Sequence, residues 1–272
     1  MERKTGFICC AFFILHSFVY AQENQNTAAP KDSSAAAPFK RLISDTSSSA
    51  TLITASFAYQ FPGGDMARRF KSSSSIGGGL YYKTKSNLLL GGEAHFIFGG
   101  TPKENGILDS IRTGKTSEGG VIDGNGQVAD IRMYERGFDW SVKVGKIFPL
   151  HSTNMNSGLF FTFGAGFLQH KIRIENLGNR APQVAPDYRE GYDRLSNGMM
   201  INETAGFFFM GDKRLANFYG ALDLVQGFTT GRRYNFDQMH LDDSKRFDML
   251  IGIRFGWMIP VKSREPDDSY LF

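Results

Sequence analysis

Few residues in this chain could do chemistry, and they are scattered. Glu93 and His95 stand two positions apart in an apolar stretch, Leu88 to Phe98. In an extended chain, residues i and i+2 share a face. A carboxylate and an imidazole at that spacing could therefore serve as a base and the group that orients it. The commoner use of such a pair is a hydrogen bond that fills an interior, and that is the expectation here. Hydrolysis by an activated serine would need a nucleophile on a tight turn, and no Gly-x-Ser-x-Gly elbow occurs. Asp123-Gly-Asn-Gly126 resembles the start of a calcium loop, but Tyr134 stands where the loop's twelfth-position glutamate belongs, so a turn is expected. His170 and His240 read as isolated, solvated residues in or near loops. The other notable charges, Asp139, Lys143, Asp223 and Arg254, each fall inside an alternating apolar segment. No catalytic, cofactor-binding or metal-binding set emerges, and no enzyme activity is expected.

The N-terminus sets the expected compartment. Arg3 and Lys4 precede an apolar run from Gly6 to Tyr20, too short to span a bilayer as a helix. Val19-Tyr20-Ala21 suits cleavage, so residues 1–21 are expected to be an export signal. Both cysteines, Cys9 and Cys10, fall within it. The mature chain would then have no disulfide, thiolate metal site or cysteine nucleophile. Its charge would be near +3, from 29 basic and 26 acidic residues, too mild to imply nucleic acid. Residues 22–48, rich in Gln, Asn, Ala, Pro and Ser, read as a flexible linker. No later run of about 20 apolar residues could form a spanning helix.

From Ala50 onward the sequence alternates with period two in eight segments: about 51–61, 75–84, 87–98, 130–148, 157–174, 199–210, 215–229 and 246–260. The last is the cleanest: Phe247, Met249, Ile251, Ile253, Phe255, Trp257 and Ile259 alternate with Asp248, Gly252, Arg254 and Gly256. The sixth cannot be oriented, because Glu203 shares a face with Ala205, Phe207 and Phe209, while Phe208 and Met210 share the other with Asn202 and Thr204. Short links after segments two, four and six alternate with longer ones at about 62–74, 99–129, 175–198 and 230–245. Short turns on one side and long loops on the other are the asymmetry of an outer-membrane barrel. The expected fold is thus all-β, an eight-stranded antiparallel up-and-down transmembrane β-barrel over residues 49–262, with residues 263–272 as a tail.

A membrane barrel turns its apolar face outward. Tyr82, Phe148, Phe209 and Trp257 would lie near the periplasmic rim, and Phe61, Tyr134, Phe228 and Phe247 near the outer rim. The interior would hold Gly, Ser and Thr with a lumenal polar network of Glu93, His95, Asp139, Lys143, Asp223 and Arg254. Unpaired burial of such charges is costly, so acids and bases are expected to meet. Arg254 in particular should find Asp223, or reach across to Glu93 or Asp139. A soluble, lipocalin-like barrel is the competing fold.

Over residues 50–260 this architecture resembles the small eight-stranded outer-membrane barrels of the OmpA-transmembrane and OmpX type. The stretch from Gly191–Gly198 through Gln226–Arg233 to Arg246–Trp257 is also similar to uncharacterised barrel proteins of Bacteroidota. Neither resemblance brings catalytic residues or a cofactor. The chain ends in Phe272, as many such proteins do, but Pro260 and Ser263–Ser269 separate it from the last segment. The assembly signal is therefore either Phe255 and Trp257 or Phe272. The expected function is a non-enzymatic barrel of the cell outer membrane, in contact with outer-membrane lipid and lipopolysaccharide. Its long loops would bind a partner, or the barrel would serve an envelope complex such as a secretion apparatus. Arg68-Arg69 and Arg232-Arg233 would either face lipopolysaccharide phosphates or be solvated loop charge. A narrow pore and a lipid-modifying enzyme are the alternatives.

Overall fold

The computed structural model describes residues 47–114, 120–150, 154–211 and 216–261. The expected export signal, most of the linker and the tail lie outside the described residues.

The eight alternating segments are eight strands: β1 (Ala50–Gly64), β2 (Ser73–Lys83), β3 (Leu88–Gly99), β4 (Ile131–Pro149), β5 (Gly158–Asn176), β6 (Ser196–Met210), β7 (Asn217–Gly231) and β8 (Lys245–Val261). Each pairs antiparallel with its neighbours in sequence, and β1 pairs with β8 to close the barrel. Following Cα partners from Phe61 leads through Ile251, Leu224, Glu203, Phe163, Val144, Leu90 and Tyr82 back to β1 at Thr51. The register returns ten residues out of step, which tilts the strands by about 40° and leaves an interior just wide enough for side chains.

The exterior is apolar. Ile53, Phe57, Tyr59, Phe61, Leu80, Phe96, Trp140, Val142, Phe163, Leu222, Ile253, Phe255 and Trp257 are all exposed. Their neighbours in sequence point inward, among them Thr54, Ser56, Asp139, Lys143, Asp223 and Arg254, and are buried, as is Glu93. This is the reverse of a soluble barrel. Strand β6 follows the same rule: Ala205 and Phe207 face out, while Asn202, Thr204, Phe208 and Met210 face in.

The interior holds more apolar volume than the sequence suggests. Toward the short turns, Leu52, Leu89, Ile147, Phe160, Phe208, Met210 and Met258 form a plug with Tyr81 and Tyr219. Toward the loops, Ile97, Leu168, Met200, Val225 and Leu250 form a second apolar layer. The charged network lies between them. Glycines make room for the largest of these side chains. A Cβ on Gly256 would meet the Tyr219 ring at 2.1 Å, and one on Gly164 would meet Lys143 Cγ at 2.6 Å.

Candidate functional site

All six expected lumenal residues are buried. Glu93 and His95 come from β3, Asp139 and Lys143 from β4, Asp223 from β7 and Arg254 from β8. Arg254 Nη2 donates to Asp223 Oδ2 at 2.6 Å, and its Nη1 donates to Ser56 Oγ at 3.2 Å. Asp223 Oδ1 also accepts from Thr204 Oγ1 at 2.8 Å and from Asn202 Nδ2 at 3.1 Å. Lys143 Nζ lies 2.8 Å from Glu93 Oε2 and donates to Thr204 Oγ1 at 3.2 Å. The network thus runs from Glu93 through Lys143, Thr204 and Asp223 to Arg254 and Ser56.

The expected Glu93–His95 hydrogen bond does not form. Their side chains stand 3.6 Å apart, and His95 Nδ1 meets Asp139 at 2.9 Å instead. His95 and Asp139 are partners across the β3–β4 register, so their inward side chains meet directly. Glu93, one inward position further along β3, is left to Lys143.

Two further sequence expectations are overturned. His170 is not solvated: it is fully buried, with Nε2 2.8 Å from Asp248 Oδ2, and the Phe70 ring stands edge-on to it. Thr229 Oγ1 donates to the same carboxylate oxygen. Parity would have found this site, since His170 continues the inward set of Thr162, Gly164 and Gly166. Nor do Arg68 and Arg69 act as a solvated pair. Arg68 is exposed, but Arg69 is buried at the end of α1 (Met66–Arg69), where burial lowers its pKa from the usual arginine value.

Arg69 opens a second network that the sequence did not reveal. Its Nε donates to Glu104 at 3.0 Å, its Nη1 to Ser196 Oγ at 3.0 Å and its Nη2 to the Arg194 carbonyl at 3.2 Å. Arg194 in turn donates to Glu104 at 3.3 Å and to Asp237 at 2.8 Å. The links thus join all four connecting loops at this end. Asp237 also accepts from the backbone of Leu108 and Ser110. Beneath these links Ile107, Leu108, Val121, Ala181, Val184 and Tyr192 join Met66 and Phe70 in the loop-side apolar layer. The loops therefore share a core with the barrel and cap it.

Nearby, burial raises the Asp193 carboxyl above its usual value, although Arg233 and Lys171 each approach it to 3.4 Å. Asp123 holds its loop as a turn, its Oδ1 accepting from the backbone of Asn125 and Gln127.

The chemistry open to the lumen is limited. Its cations and carboxylates face one another, and the plug below them leaves a cavity of ≈ 20 Å³, lined by Leu52, Phe160, Tyr219 and Met258 among others. That is room for about one water molecule. Among the described residues no cluster of His, Cys, Asp and Glu could hold a metal ion.

The molecule is an eight-stranded antiparallel barrel with an apolar exterior and a packed interior, the architecture of the small outer-membrane barrels. No protein-family model matches the chain, and a search of curated proteins finds no relative. Among solved structures it is similar to Ail, the attachment invasion locus protein of Yersinia pestis, at 12% identity over 77% of this chain and 99% of that one, with a TM-score of 0.35. It is also similar to OprG of Pseudomonas aeruginosa, at 14% identity over 80% and 99% of the two chains and a TM-score of 0.37. The N-terminal barrel of OprF from the same organism matches at 11% identity over 76% and 97%, with a TM-score of 0.33. At these values they are likenesses in outline. Strand number, closure and register stand on the hydrogen bonding of this chain itself.

Proposed function

We propose that this is a non-enzymatic barrel of the cell outer membrane whose lumen does not conduct and whose capped loops present a rigid surface to a partner outside the cell. The observation that carries this reading is the shared core of loops and barrel, tied by Arg69, Glu104, Arg194 and Asp237. A pore would need its loops held away from the mouth, whereas these close it. A binding surface gains from loops whose ordering cost is met on folding rather than on binding.

The exposed apolar wall supports the membrane location. Outward-facing Arg136, on β4, lies directly above Phe138, and on β5 Lys171 and Arg173 follow Phe167 and Gln169 toward the loops. That placement supports contact with the phosphates of lipopolysaccharide. Membrane fractionation, surface labelling of an introduced cysteine at Met239 and planar-bilayer recording test the reading together. The expected result is an outer-membrane protein, labelled on intact cells, that gives no conductance steps. Regular steps from the purified barrel would replace surface interaction with transport.

A further inference from the structure

Among the described residues, the acids that point into the barrel from its strands have basic partners, with one exception. Glu93 meets Lys143, Asp139 meets His95, Asp223 meets Arg254 and Asp248 meets His170, each within 2.9 Å. Glu135 on β4 is the exception. It is 1% exposed, and its Oε1 has no hydrogen-bond partner among the described residues. The cations nearest to it in sequence or in the cap are committed elsewhere. Arg136 turns outward, and its Nη1 donates to the carbonyls of Gly99 and of Glu135 itself. Arg69 spends its donors on Glu104, Ser196 and the Arg194 carbonyl. A carboxylate buried without a counterion is strongly destabilising.

What lies beside it is also unpartnered. The inward row that starts at Glu135 runs through Gly99 on β3 to Ser73 on β2. Gly99 makes room for the carboxylate, since a Cβ there would meet Glu135 Oε2 at 2.2 Å. The Glu135 side chain therefore lies over Gly99 and reaches toward Ser73. Ser73 is buried, as is Ser75, the next inward residue of β2, and neither hydroxyl has a partner among the described residues. Gln60, beyond Ser73 on β1, leans the other way, with its Cγ 2.8 Å from where a Cβ on Gly252 would stand. One carboxylate and two hydroxyls thus share a patch of the lumen wall with no cation among them.

We propose that Glu135, Ser73 and Ser75 hold a sodium ion. The patch is not a cluster of His, Cys, Asp and Glu, of which the described residues hold none. Its donors are all oxygen, which suits a hard cation rather than a transition metal. It carries a single negative charge, so a monovalent ion neutralises it, whereas a divalent ion would leave a buried positive excess. Water fills the remaining coordination positions. The backbone N–H of Glu135 donates to the carbonyl of Gly100, where the second long loop begins, so the patch lies directly under the cap. The ion is enclosed as the loops close over the barrel.

The test uses the protein purified from membranes, unfolded in urea and refolded into detergent micelles. Refolding is done in sodium chloride or in N-methylglucamine chloride of equal ionic strength. Sodium should raise Tm and the rise should saturate, as it does for a ligand of the folded state. Equilibrium dialysis against radioactive sodium should find about one ion per chain. Glu135→Gln should lose both effects. Ser75→Ala should weaken sodium binding about tenfold while the barrel still assembles, and it carries the test should Glu135→Gln fail to fold. Equal Tm in the two salts, or sodium uptake unchanged in either variant, would overturn the proposal. So would stabilisation by acid with no uptake of sodium, which would mean that a proton alone fills the place.

Discussion

Arg254 and Asp223 meet at 2.6 Å in the middle of the barrel, both shielded from solvent, and Arg254 reaches on to Ser56. One ion pair thus ties β7, β8 and β1, the strands on either side of the closure between the first and the last. A buried pair adds little over a matched apolar pair, but removing one partner leaves the other charge uncompensated.

Arg254→Met should therefore destabilise the folded barrel by about 3–5 kcal/mol. Asp223→Asn in the same chain should recover much of that loss, since it removes the stranded charge. Urea unfolding in detergent micelles, followed by tryptophan fluorescence, measures both. Equal stability of the single variant and the parent would mean that the pair is not formed.

Trp257 and Arg254 are three positions apart on one strand, so parity sends them to opposite faces. Trp257 is exposed and Arg254 buried. In a Trp140→Phe background, brominated lipid should quench Trp257 strongly. Unquenched fluorescence would reverse the assigned faces.

Arg194 is the centre of the loop cap, bound to both Glu104 and Asp237. Arg194→Ala should weaken the cap by about 1.5–3 kcal/mol, the usual worth of charged hydrogen bonds. The barrel strands need not respond. Limited proteolysis should then cut within residues 100–130 and 232–244 while leaving a protected strand core. Uniform loss of protection would show that cap and barrel unfold as one unit.

Asp242 gives the cap a pH dependence. Burial alone would raise its carboxyl, but hydrogen bonds from Ser244 and Arg246 outweigh that and hold it below the usual aspartate range. A depressed folded value means that the contribution is present above the unfolded pKa of about 3.9 and is lost as pH falls through the folded value. Hydrogen exchange in residues 232–244 should therefore speed up in acid below about pH 4 relative to Asp242→Asn. A parallel response of parent and variant would remove Asp242 as the cause.

Much of this was legible in the sequence because a membrane barrel writes both of its faces into alternate residues. Ile251, Ile253, Phe255 and Trp257 announce the outside of β8 as plainly as Gly252, Arg254 and Gly256 announce its inside. Where both faces are mixed the signal fails, as on β6, where Glu203 lies outward among apolar residues and Phe208 lies inward among polar ones. The interior layers were hidden for a related reason. Leu52, Leu168, Val225 and Leu250 are apolar like the wall, and only their partners in space show that they fill the core. The cap was invisible because it joins Arg69, Glu104, Arg194 and Asp237 across four loops with no common spacing.

The reach of Arg254 from Asp223 to Ser56 also bears on how the barrel is made. Before β1 and β8 pair, the guanidinium stands on the open edge strand itself and lacks its Ser56 contact. Sealing the wall and forming the guanidinium's contact with Ser56 are a single event. A half-zipped intermediate would leave the Arg254–Asp223 pair on an open edge, so assembly should run to completion or stall early, with few species between. A stalled chain would leave its last strand, Trp257 included, unpaired along one edge.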